Sequence, residues 1–152
     1  MQSWLLTEKK NMVNKILIDT NVLLDYLLMR EPFYKDAEKI VYDCVEGKVK
    51  GCIAAHSVRN MFFILRKNYN SRERREILSS LFSIFDVEGI DKTKLLFGLQ
   101  NEDFTDFEDC LQEECAVNVM ADYIVTRNPK DFEKSRVKVI DPEGFILLLQ
   151  KK

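Results

Sequence analysis

Four aspartates, Asp19, Asp106, Asp109 and Asp131, are the residues of this chain whose type and placement point to chemistry. Clustered carboxylates repel, and their pKa values rise unless a cation sits among them. Mg²⁺ or Mn²⁺ would relieve that repulsion, because both are hard ions that take oxygen ligands and keep several waters. Such an ion lowers the pKa of a bound water and stabilises charge at phosphorus, which suits hydrolysis of a phosphodiester. The competing structural reading is plain. Asp, Thr and Asn are good helix N-caps, so Asp19-Thr20-Asn21 could simply start a helix. Acids in a first turn also favour the helix dipole.

The elements around these residues decide what they can reach. Lys15 to Asp25 reads KILIDTNVLLD, a short buried strand that runs straight into Asp19 and then into the apolar start of a helix. In an α/β sheet, ligand sites form just beyond the carboxyl ends of strands. Asp25, further along that helix, faces either the same cavity or a solvated edge. The second informative stretch is Asn101 to Val117, NEDFTDFEDCLQEECAV. Thr105 and Glu108 form a capping-box pattern that starts a helix at Asp106. Asp106, Asp109 and Glu113 then share one helical face. The third is Tyr123 to Thr126, YIVT, a strand that runs into Arg127, Asn128, Pro129, Lys130 and Asp131.

Between these, strands and helices alternate. Pro32 ends the first helix. A second helix runs from about Tyr34 to Val45 and stops at Gly47. Lys50 to Ala54 is the second strand, and Ser57 caps a third helix ending near Asn68. Ser71 caps a fourth over about 72–84. Phe85 to Val87 is a brief strand, and Asp91 or Thr93 starts a short helix ending by Gly98. Val137 to Ile140 is the last strand, and Asp141-Pro142 opens the last helix. The alternation predicts an α/β chain: an α/β/α sandwich with a mainly parallel central sheet of four to five strands, in one domain over residues 15–150. Residues 1–14 read as an N-terminal extension.

Composition narrows the function classes. With 46% hydrophobic and 32% charged residues over 152 positions, the chain is an ordinary globular domain. No apolar run approaches the roughly 20 residues a bilayer span needs, so no membrane role is expected and the compartment reads as cytoplasmic. A formal net charge of −2 argues against coating nucleic acid by bulk charge. Cys44, Cys52, Cys110 and Cys115 form no CxxC pair, and His56 is the lone histidine, so a zinc site is not expected. His56 reads as a packed or capping residue, with a general-base role as the alternative.

Three motifs, ILIDTNVLLDYLL at Ile16 to Leu28, DFEDCLQEECA at Asp106 to Ala116 and ADYIVTRNPKDF at Ala121 to Phe132, occur in an order and spacing that resemble the PIN-domain family, in particular its VapC-like toxins. The resemblance spans about Lys15 to Leu149. It implies a PIN-like fold and a Mg²⁺- or Mn²⁺-dependent endoribonuclease. Asp19, Asp109 and Asp131 would be metal ligands, with Asp106 beside them. Thr20 and Asn128 would orient a ligand or a water. It also implies a homodimer and an antitoxin protein that blocks the site. Asn60 departs from the pattern, since the family usually has an acid on the helix after the second strand. An asparagine can ligate through its carbonyl but adds no negative charge. That substitution supports the alternative of a PIN-like module that binds RNA or a protein partner without cleaving. A faint likeness of Asp19-Thr20-Asn21-Val22 to phosphoaspartate-forming phosphatases fails at Asn21, where that motif needs a second aspartate.

Basic residues bear on substrate. Arg59, Arg66, Lys67, Arg72, Arg74 and Arg75 concentrate positive charge around one helical hairpin and could contact RNA phosphates, the alternative being a solvated helix face whose Arg and Lys stems cover apolar residues. Arg127, beside the acidic stretch, is a better single candidate for a substrate phosphate than any one of these.

Overall fold

A computed structural model describes Val13 and residues 15–151. The expected extension lies outside the described residues apart from Val13, which is buried in the core. Five parallel strands form one sheet in the order β3-β2-β1-β4-β5. They are β1 (Lys15–Ile18), β2 (Lys50–Ala54), β3 (Asp86–Glu88), β4 (Tyr123–Val125) and β5 (Val139–Ile140). Among the described residues, seven α-helices accompany them: α1 (Thr20–Leu27), α2 (Tyr34–Val45), α3 (Ala55–Ile64), α4 (Ser71–Leu81), α5 (Lys92–Gln100), α6 (Phe107–Asn118) and α7 (Pro142–Gln150). The expected α/β class and parallel sheet are what the chain adopts.

β1 lies at the centre, with Leu17 opposite Cys52 of β2 and Ile124 of β4. Successive strand residues point to opposite faces. Ile16 and Ile18 join Ile53 and Val125 in a core with residues of α1 to α4 and α7, including Leu23, Ile40, Met61, Leu78 and Phe145. Leu17 joins Cys52, Ala54 and Ile124 in a second core against Cys110, Cys115 and Ala116 of α6. The sheet is therefore covered on both faces, which is why β1 reads as an unbroken apolar run. Each fully buried Leu or Ile of β1 contributes about 1.5–3 kcal/mol. Gly51 lets β2 lie close to its cover: a Cβ there would sit 2.6 Å from the Phe85 ring and 2.8 Å from Cys44 Sγ.

Several boundaries differ from the sequence expectation for identifiable reasons. Helix α1 ends at Leu27, short of Pro32, and the chain leaves it through Met29 at φ +52°. Ser57 does not cap α3, because β2 passes directly into the helix at Ala55. Asn70, not Ser71, caps α4, accepting from the Glu73 N–H while the Glu73 carboxylate accepts from the Asn70 N–H. Phe85 is excluded from β3 because its N–H donates to Leu81 O. Val137 is excluded from β5 because its N–H donates to Ser135 Oγ. Among the described residues, no helix is long and apolar enough to cross a membrane.

Candidate active site

The parallel arrangement places the ends of β1, β2 and β4 at one edge of the sheet. There a cleft of about 470 Å³ is lined by Asp19, Thr20 and Asn21 from the start of α1 and by His56, Asn60 and Phe63 from α3. Asp106, Glu108, Asp109 and Gln112 from the start of α6, and Asn128 and Asp131 from the segment after β4, complete the wall. Asp19, Asp109, Asp131, Asp106, Asn60, Thr20 and Asn128, all singled out from the sequence, thus face one space.

Asp19 is at the floor, 8% exposed. Its N–H continues the sheet by donating to Val125 O at 2.9 Å, which fixes the residue against β4. Its carboxylate is held from two sides. Oδ1 accepts from the Thr20 N–H at 2.8 Å and from Gln112 Nε2 at 3.4 Å, and Oδ2 accepts from Thr126 Oγ1 at 2.8 Å. Burial raises the Asp19 pKa, and the bonds from Thr126 and Thr20 act against that rise. The charge of Asp131 adds to it. Asp109 has no such support. Burial and then the charges of Asp106, Asp19, Asp131 and Glu108 push it up to about 7.

Asp106 does two things at once. It caps α6, its Oδ1 accepting from the Asp109 N–H at 3.1 Å, and it lines the cleft. The capping box expected at Thr105 is therefore not what starts the helix; α6 begins one residue later, at Phe107. Glu113 does not share the acidic face. It is 1% exposed and bound to Arg136, whose Nη2 lies 2.7 Å from Oε1 and whose backbone N–H donates to Oε2 at 2.8 Å. Asp25 is neither in the cleft nor at a solvated edge: it is 1% exposed, with Arg127 Nε at 2.6 Å and Arg30 at 3.7 Å. Arg127 is correspondingly turned from the cleft. Its guanidinium pairs with Asp25 and lies 4.0 Å from the centroid of Phe33, so the residue expected to hold a substrate phosphate is occupied by structural contacts.

Three site residues escaped the sequence reading: Gln112, Ser57 and Thr126. Gln112 is buried on α6, one turn after Asp109, and its Nε2 also donates to Ser57 Oγ at 2.9 Å and Thr20 Oγ1 at 3.2 Å. Thr20 Oγ1 in turn donates to Ser57 Oγ at 2.7 Å. This network ties α1, α3 and α6 together beneath Asp19. The signal that could have found Gln112 is its i, i+3 relation to Asp109. Thr126, fully buried, also receives the Asn128 N–H on its Oγ1 at 3.1 Å, which shapes the turn leading to Asp131. His56 lines the cleft without a well-formed hydrogen bond on either ring nitrogen, although the Glu108 backbone lies beside it. Burial lowers its pKa, which keeps the imidazole neutral at pH 7.

Among the described residues, no three His, Cys, Asp or Glu side chains close into a ready-made metal shell. The donors that do line the cleft are hard oxygens, and burial together with their mutual charge raises the pKa of Asp19 and Asp109. That set fits a divalent ion that keeps most of its waters and takes a few carboxylates.

A family model described as the PIN domain matches residues 15–130. The chain belongs to the PIN-domain family. Solved structures agree on the fold. A toxin–antitoxin complex from Klebsiella pneumoniae matches with a TM-score of 0.64 at 19% identity, covering 84% of this chain and 97% of that one. VapBC-1 from nontypeable Haemophilus influenzae matches at 0.64 and 15%, covering 85% and 98%. VapBC2 from Rickettsia felis, bound to a DNA fragment from its promoter, matches at 0.61 and 12%, covering 84% and 98%. No curated protein sequence matches the chain.

Proposed function

We propose that this PIN-domain chain is a divalent-metal-dependent endoribonuclease that acts in the cytoplasm as the toxin of a toxin–antitoxin pair. The observation that carries the reading is the set Asp19, Asp109 and Asp131 on one cleft, none of them in an ion pair among the described residues. Asp19 is buried and Asp109 half-buried, both with raised pKa values, and such perturbed groups concentrate at functional sites. The toxin role and the antitoxin partner are supported by the family and by the toxin–antitoxin complexes that share the fold, and the homodimer by the sequence resemblance alone.

Asp19, Asp109 and Asp131 would hold Mg²⁺ or Mn²⁺. When bound, the ion supplies an activated water and charge stabilisation at phosphorus. The chain's own contribution is to hold the ligands and the substrate in place. Thr126, Gln112 and the Thr20 N–H fix the Asp19 carboxylate in one orientation. Asp106, Asp109, Asp131 and Asn128 complete the wall of the cleft. Net hydrolysis adds water across one phosphodiester, breaking a P–O bond and giving a phosphate monoester and a hydroxyl. The test is cleavage of a mixed structured-RNA pool by purified protein with Mn²⁺, with Mg²⁺ and with EDTA, beside Asp19→Asn. Cutting that needs both metal and Asp19 is expected. Equal cutting with EDTA, or by Asp19→Asn, would overturn the proposal.

A second reading, an RNA- or protein-binding module without cleavage, rests on Asn60. It lines the cleft where the resemblance leads one to expect an acid. Asn60→Glu separates the two. A large gain of cleavage from an inactive wild type favours the binding module; active wild type with little change favours the enzyme.

A further inference from the structure

The acidic cleft does not end at Asn60. Asn60 and Phe63 also line a second depression of about 460 Å³, whose remaining walls are Arg59, Phe62 and Arg74. The two spaces therefore share a wall, negative on one side and positive on the other. Phe63 stands on that wall with its side chain 61% exposed, although large apolar residues gain by burial. Arg66 lies over its ring at 3.7 Å from the centroid and donates to Phe63 O. Arg74 is held 4.2 Å over the Phe62 ring and donates to Phe62 O at 2.8 Å.

The charge on these arginines is uncompensated. Arg66 and Arg74 bond only carbonyl oxygens, and Arg59 makes no ion pair or hydrogen bond among the described residues. Elsewhere Arg30, Arg127 and Arg136 are all paired to carboxylates. An exposed ring flanked by three unneutralised guanidiniums matches a polymer that alternates flat apolar bases with negative phosphates. Single-stranded binders combine these two elements, a charged track and an aromatic platform. Asn60, neutral at the junction, lets a polyanion pass from the basic side to the acidic side without a carboxylate directly in its path.

We propose that Phe63 is a stacking platform for one base of single-stranded RNA, with Arg59 and Arg74 holding an adjacent phosphate, so that a neighbouring phosphodiester lies over Asp19 and Asp109. This rests on the nuclease reading only for the last clause; the binding stands on its own. It makes Phe63 a positioning residue.

The experiment measures binding with EDTA present, using a short single-stranded RNA that carries 2-aminopurine at its centre. Wild type quenches the fluorophore by stacking. Phe63→Tyr keeps the quench, and Phe63→Ala loses it with about tenfold weaker binding. Arg59→Gln weakens binding to all sequences and reduces the salt slope by about 0.7. Thermal melts of Phe63→Ala and Arg59→Gln match wild type, since both side chains are exposed. Quenching by Phe63→Ala equal to wild type, or no binding by wild type, overturns the proposal. So does a change from dimer to monomer in sedimentation of Phe63→Ala, which would give the ring to a second copy of the chain. Cleavage is scored in a separate metal arm. Phe63-dependent binding without cleavage would remove the nuclease reading and keep this one; cleavage with Phe63-independent binding would do the reverse.

Discussion

Asp109 and Glu113 sit one turn apart on α6, yet the fold treats them oppositely. Glu113 is buried and tied to Arg136 through both the guanidinium and the backbone N–H. Asp109 is half-buried among Asp19, Asp131, Asp106 and Glu108, with no cation, and is pushed up to about 7. The same contrast holds on α1, where Asp25 is paired with Arg127 and Arg30 while Asp19, at the start of the helix, has only neutral donors. Asp25 and Glu113 are fully paired, whereas neither Asp19 nor Asp109 makes an ion pair among the described residues, and only the more distant charge of Arg127 favours ionised Asp19. The paired acids hold elements together. The unpaired ones line the cleft.

The strongest test of this division is Asp19→Asn. Cleavage should fall by at least about a hundredfold, in line with losses on removing one electrostatic group from an active site. Stability should hold or rise, because a buried carboxylate with a raised pKa is removed. A variant that unfolds while the metal-free wild type does not would place Asp19 with the structural acids. Next in size is Arg136→Met, which strands Glu113. Breaking a buried pair costs about 3–5 kcal/mol, and the half-exposed arginine puts this one at about 2–3 kcal/mol. Urea denaturation would read it as a lower midpoint at unchanged slope. Arg127→Met should behave similarly through Asp25. If it instead melts like wild type and raises KM for RNA, Arg127 belongs to the substrate site after all.

Thr126→Val is a smaller probe. It keeps shape but removes the donor to Asp19 Oδ2. The Asp19 pKa then rises further, and cleavage falls about tenfold, the low end for residues that orient a metal ligand. The acid limb of the pH–rate profile should move upward. The smallest effect is on stability against pH. Asp109 is protonated more readily in the folded chain than in the unfolded one. Its contribution is therefore present below its ordinary value of 3.8 and lost as pH rises through about 7. The metal-free protein should lose stability across that window, Asp109→Asn should flatten the loss, and solvent screening keeps the change modest. A thermal-melt series from pH 4 to pH 8 with EDTA reads all three.

These contrasts also mark what the sequence could tell. The sheet was legible because Ile16-Leu17-Ile18 is an unbroken apolar run, as a strand covered on both faces must be, and because Asp19 directly follows it. The partition of the acids was not. Glu113 follows Asp109 by four residues and reads as the same face, until Arg136, from a loop with no pattern of its own, claims it. Gln112 hid in an acid-rich helix that looks solvated. Ser57 read as a cap because nothing in LysGlyCysIleAla announces that β2 enters α3 without a turn. Pairings between residues this far apart along the chain leave no local periodicity, so only the folded structure assigns them.

The central position of β1 has a temporal consequence. Its partner β4 pairs Ile16 with Tyr123 and Leu17 with Ile124, and Asp131 lies beyond that strand. Contacts of such long sequence separation are slow to form and require most of the chain to be present. During synthesis, which delivers the N-terminal part first, Asp19 spends nearly the whole of translation without Asp109 or Asp131 nearby. The cleft is completed only once Asp131 has been made, so a half-made chain carries Asp19 and Asn60 without Asp109 or Asp131.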